Sequence, residues 1–128
     1  MNAITTSLLF ICVFFVLDML YIYSAKETHL KMIQDVQKKK LKLRIVPAIL
    51  FYLLLPIAYI YFIKPLAKGD DTKVFLYAAL LGFLMYSTFD LTNLALFDKF
   101  TPTYAVMDIA WGTFNLALTS FIVHRLVK

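Results

Sequence analysis

The chain has 128 residues, 62% of them hydrophobic, and a formal net charge of +5. Its mean hydropathy of +0.77 lies far above the range of a water-soluble domain and excludes one. The basic excess does not point to nucleic acid. Seven of the thirteen Lys and Arg residues fall in one loop beside an apolar segment, where membrane lipids, anionic ones in particular, are the expected partner.

Four apolar stretches, 4–23, 45–63, 74–97 and 104–123, each approach the roughly 20 residues a transmembrane helix needs. Barrel strands of about ten residues would not use such lengths. The expected fold is therefore all-α: an integral membrane four-helix transmembrane bundle forming one domain over 1–128. The first stretch has no Lys or Arg in residues 1–7 and is interrupted by Asp18, so a retained helix is expected rather than a signal peptide. Cys12 is the only cysteine; it cannot form an intrachain disulfide and is read as a small packing residue.

The segment 26–44 follows, with Lys26, Lys31, Lys38, Lys39, Lys40, Lys42 and Arg44. Leu30, Ile33, Gln37 and Leu41 recur in it near helical spacing. This fits either an interfacial helix with snorkelling lysines or a transmembrane helix continuing into water. Lys38, Lys39, Lys40, Lys42 and Arg44 are the expected head-group contacts. In the second span, Pro56 is expected to bend the helix and free a carbonyl, opening space beside Tyr52 and Tyr59. Gly69-Asp70-Asp71 marks a turn. Phe100-Thr101-Pro102-Thr103 is a tight connection, with Thr101 or Thr103 as cap of the fourth helix. Four spans put both termini on one side. The first and third loops hold eight basic residues, and the opposite side holds five: Lys64, Lys68, Lys73, Arg125 and Lys128. The positive-inside rule then favours a cytoplasmic first loop and external termini.

Leu17-Asp18-Met19, Phe89-Asp90-Leu91 and Met107-Asp108-Ile109 each set an aspartate between apolar residues inside a span. An intramembrane carboxylate is costly and marks a functional site by default. Chain direction brings all three to the same membrane face, roughly 6–11 Å inside the helix ends at 1.5 Å per residue. The residues three further on, Tyr21, Asn93 and Trp111, can donate hydrogen bonds. Inward stripes are expected at Ile11, Phe14, Asp18 and Tyr21; at Tyr52, Pro56 and Tyr59; at Phe83, Tyr86, Asp90, Asn93 and Phe97; and at Tyr104, Asp108, Trp111 and Asn115.

The run Tyr86-Ser87-Thr88-Phe89-Asp90-Leu91-Thr92-Asn93-Leu94-Ala95, followed by Met107-Asp108-Ile109-Ala110-Trp111-Gly112, resembles a family of small predicted four-span membrane proteins (domain of unknown function 2177). That family shows Y-D-L-T-N-x-A, D-x-x-W-G and an L-D-x-x-W-like start. Here Tyr21 stands where Trp is usual and Phe89 where Tyr is usual. The resemblance covers essentially the whole chain. It implies the four-span fold and a shared acidic site, and it brings no activity.

Three co-layered carboxylates without an intramembrane cation are expected to share protons or a cation, and to titrate together. Asp18, Asp90, Asp108, Asn93, Tyr21 and Trp111 are the expected ion- or ligand-binding residues. His29 and His124 are read as interfacial residues, so no transition-metal site is expected, and no cofactor fingerprint is present. The absence of a nucleophile–His pair and of a phosphate-cradling loop leans away from an enzyme. Three functions stay open: a proton or cation site, for which a homo-oligomer or channel-like role is natural; a lipid-binding or lipid-modifying pocket; and a structural subunit. Gly82 and Gly112 are expected to allow close helix contact rather than to bind a substrate.

Overall fold

The computed structural model describes residues 2–127; Met1 and Lys128 lie outside the described residues, Lys128 being one of the five basic residues counted above on the terminal side. Four helices are long and apolar enough to cross a membrane: α1 (Ala3–Ser24), α3 (Ile45–Ala67), α4 (Asp71–Leu96) and α5 (Pro102–Val127). A fifth helix, α2 (Lys26–Gln37), lies between the first two.

Local chemistry sets the helix ends. The Asn2 side chain accepts from Thr5 N at 2.8 Å and starts α1. Asp70 Oδ1 accepts from Thr72 N and Lys73 N at 2.9 and 3.2 Å and starts α4. Thr101, not Thr103, caps α5, accepting from Tyr104 N at 3.2 Å. Pro102 opens that helix, where its missing N–H leaves nothing unsatisfied. At Ala25 the backbone leaves helical geometry (φ −113°, ψ 28°), so α2 is not α1 prolonged into water. Met32 and Val36 of α2 pack instead against Leu94, Phe100, Tyr104 and Ala105 at the joint of α4 and α5. The helix ends at Lys38, held left-handed (φ 61°), where the Gln37 amide ties the carbonyls of Lys39 and Lys40 at 3.0 Å each.

Pro56 lies inside α3, and the helix widens into a π turn at Tyr59–Ile63. Proline lacks the N–H that would hold the carbonyl four residues earlier, and such wide turns concentrate at functional positions. The four long helices close a ring in which α1 touches α3 and α5, and α4 and α5 form the most extensive pair. The last third of α3 meets α4, while the rest of it leans on α1.

Packing is uneven along the bundle. The fully buried apolar core joins Phe10 and Phe14 of α1, Leu55, Tyr59 and Ile63 of α3, Val74 and Ala78 of α4, and Leu116 and Val123 of α5. These belong to the half that carries the chain termini, except Phe14 and Leu55, which lie at mid-span. The other half is where the first part of α3 separates from the end of α4, and it is hollow.

The α4–α5 seam departs from the expected stripe. Phe83 and Phe97 are 48% and 43% exposed, not inward. The inward line runs Ala78, Gly82, Tyr86, Asp90, because closest approach is set by the smallest side chains. A Cβ on Gly82 would lie 2.9 Å from the Gly112 carbonyl oxygen and 3.1 Å from Thr113 Cα, and one on Gly112 would enter the Tyr86 ring. Small residues at such crossings let transmembrane helices pack by contact alone, and the bulky phenylalanines are pushed to the flanks.

Candidate functional site

Asp18 lies six residues before Ser24, Asp90 six before Leu96, and Asp108 six after Pro102. Each is thus about 9 Å inside its helix on the same face. The hollow half of the bundle at this level is an open cavity of about 900 Å³. Asp18, Tyr21, Trp111 and Asp108 line it, together with apolar residues such as Met19, Ile22, Leu30, Ile33, Phe51 and Phe89.

The three acids differ in what holds them. Asp18 is tied on both oxygens: Tyr52 Oη donates to Oδ2 at 2.8 Å and Trp111 Nε1 donates to Oδ1 at 3.1 Å. These bonds bind α1 to α3 and to α5. Tyr21 stacks flat on Trp111, centroids 4.6 Å apart and planes 5° apart. Asp108 is half-buried in the cavity wall. Asp90 is 0% exposed, and neither of its oxygens meets a hydrogen-bond donor. The acidic group neighbouring it is the Asp108 carboxyl. Two carboxylates are both acceptors, so this contact becomes a bond only when a proton or a cation joins them. Asn93 is half-buried one turn beyond Asp90 and is not part of the cavity lining. Among the described residues, no three His, Cys, Asp or Glu side chains are grouped to hold a metal ion. The layer is a tied acid plus an open pair, not a chelating triad.

Two groups from α2 enter the site, and one corrects the sequence reading. His29 is not a loop residue at the interface. It lies on a helix folded back over the cavity, with its Nδ1 2.6 Å from Tyr104 Oη and its ring edge-on to Tyr21 at 5.1 Å. The signal in the sequence is the spacing His29, Met32, Val36, whose Met32 is the buried centre of α2. The neighbouring stripe through Leu30 and Ile33 borders the cavity. Lys26 lines the cavity too, so the first loop supplies a basic group to the same space, apart from the acid layer. Lys38, Lys39, Lys40, Lys42 and Arg44 are all exposed, while Leu41 and Leu43 between them line the cavity.

Burial pushes the His29 imidazole below its ordinary value of 6.5, against the opposing pull of Asp108 and Asp18. The sign follows: the unfolded chain takes up the proton more readily than the folded one, so stability falls as pH drops from 6.5 through the folded value. Thermal unfolding in detergent should show that loss in the wild type. A smaller loss over the same window is expected for His29→Gln, and identical slopes would contradict it.

The opposite end carries a second polar cluster. His124, expected at the interface, is buried at 5% exposure. Its Nδ1 is 3.3 Å from Tyr59 Oη in the π turn, and its Nε2 is 3.3 Å from Asp71 Oδ1. Asp71 Oδ2 accepts from Arg125 Nη1 at 3.0 Å. The residue is drawn inward because α3, α4 and α5 converge there, and its ring joins all three.

The helices and their hydropathy make this an integral membrane protein. Comparison with curated proteins finds no match, and neither does comparison with solved structures. A family model described as a predicted membrane protein of unknown function, DUF2177, matches residues 3–124. Nearly the whole chain is covered, all three acid-bearing motifs included, and the protein belongs to that family.

Proposed function

We propose that the protein is a membrane binding protein whose Asp90–Asp108 pair takes up a proton or a monovalent cation from the open cavity. The observation that carries this reading is Asp90, fully buried with both oxygens lacking a donor and with a second carboxyl as neighbour. Burying an ion without compensation is prohibitive, so the pair needs a bound positive partner. A multidentate metal ion suits it poorly, since Asp18 is already engaged by Tyr52 and Trp111. Uptake from one side suits it better than passive conduction. The cavity lining comes from one half of the bundle, and the other half is closed by packed side chains.

Infrared difference spectra across a pH step test this directly. The wild type should show the carbonyl stretch of a protonated carboxyl at neutral pH, or one that appears on removing monovalent cations. Asp90→Asn should lack it. An unchanged spectrum in that variant would sink the proposal. Liposome flux measurements separate binding from transport: a selective flux lost in Asp90→Asn would extend the reading to conduction.

The charge balance supports a cytoplasmic first loop and external termini. Lys39→Cys should then resist a membrane-impermeant thiol reagent applied to intact cells; labelling from outside would reverse the orientation.

A further inference from the structure

We propose that the cavity seats the head group of an aminophospholipid, with its ammonium at Asp108 and its phosphate at Lys26. This rests on the reading of Asp90 and Asp108 as a cation-accepting pair, and it names the cation.

Four observations converge on this class of ligand. First, about 900 Å³ is at the upper end of the roughly 300–1,000 Å³ of small-molecule sites. It is far larger than a proton or a bare ion requires. Second, its walls are dominated by alkyl and aromatic groups, and many of them, Ile22 of α1 and Phe89 of α4 among them, are exposed on the transmembrane helices. In a membrane that exposure faces acyl chains, so a ligand enters sideways from the bilayer. Third, the polar groups are segregated by sign. Asp108 sits in the wall with Asp90 sealed behind it, and Lys26 is the basic side chain in the lining. Acid and base at separate places in one apolar cavity complement a zwitterion with an apolar body. Fourth, the site lies about 9 Å inside the helix ends, below the head-group layer but nearer one leaflet's surface than the bilayer centre, so a head group drawn in from that leaflet reaches it.

The acid end further selects among head groups. With Asp18 occupied by Tyr52 and Trp111, Asp108 is the open acceptor, and a carboxylate binds best to an N–H donor. A primary ammonium supplies three such donors, and a quaternary one supplies none. The Tyr21–Trp111 stack borders the same wall, and aromatic rings attract cations of either kind. Discrimination between amine and choline lipids therefore falls to Asp108.

Trp111 is the only tryptophan in the chain and lines the cavity, so its fluorescence reports occupancy without a label. Delipidated protein in detergent would be titrated with short-chain phosphatidylethanolamine, phosphatidylcholine and phosphatidylglycerol. A saturable change with phosphatidylethanolamine is expected, at least about tenfold tighter than with the other two. Asp108→Asn should weaken it by about ten- to a hundredfold, as expected for a lost charge-assisted bond. Asp108→Glu should retain most of it. Lys26→Gln, at the exposed start of α2, should weaken phosphatidylethanolamine and leave a simple long-chain amine unaffected. Equal responses to phosphatidylethanolamine and phosphatidylcholine, or indifference to Asp108→Asn, would overturn the proposal. If the protonated-carboxyl band is present while no lipid is preferred, the lipid assignment fails and the reading of the pair stands. If the lipid binds through Asp108 without any such band, the reverse holds.

Discussion

Gly112→Ala is expected to cost about 3 kcal/mol, at the upper end of what overpacking a tight contact costs. The added methyl would meet Tyr86 at the root of its ring, on Cγ and both Cδ atoms. That part of the side chain cannot swing clear without leaving its rotamer. Backbone separation is the other way out, and it would pull Gly82 off the Gly112 carbonyl and loosen the main helix pair of the bundle. Coupling identifies the cause. In a Tyr86→Ala background the same Gly112→Ala change should cost little, with an interaction energy of about 1–3 kcal/mol. Unfolding of the four proteins in mixed detergent measures the cycle. Additive losses would mean that the glycine serves some purpose other than making room for the ring.

Those glycines also mark where sequence reading succeeds and where it stops. Four spans were legible because an apolar run of sufficient length has few alternatives in a bilayer. The common depth of Asp18, Asp90 and Asp108 was legible because chain direction and helical rise fix it. Both glycines were recognisable as contact residues, yet their consequence for Phe83 and Phe97 was not. Periodicity assigns a face to a helix, but which line on that face touches its neighbour depends on the partner's shape. The same limit applied to the loop 26–44. Its spacing left an interfacial helix and a prolonged one equally open, and only the break at Ala25 and the burial of Met32 fold it over the cavity. His29 and Lys26 entered the site through that fold. No pattern local to either residue announces it.

Asp18→Ala and Asp90→Asn should part company, and their contrast separates scaffold from site. Asp18→Ala removes the acceptor for Tyr52 Oη and Trp111 Nε1 together. A buried donor left unpaired costs about 1–3 kcal/mol. Both donors are only partly buried here, so the sum should be about 2–4 kcal/mol rather than the full double penalty. The loss should come with a changed Trp111 emission, since the indole N–H loses its partner and the Tyr21 stack its anchor. Asp90→Asn behaves differently because it breaks no hydrogen bond that the unmodified pair makes. Its amide matches the shape of a protonated carboxyl and donates to Asp108, so the need for a bound positive partner disappears. Stability should hold within about 1 kcal/mol of the wild type or rise, in line with the small effect of changes that disturb no packing, while proton or cation uptake is lost. Equilibrium unfolding read beside the infrared carboxyl band resolves the two cases. If Asp90→Asn unfolds as readily as Asp18→Ala, the open pair is holding helices together, and the acid layer is structural throughout.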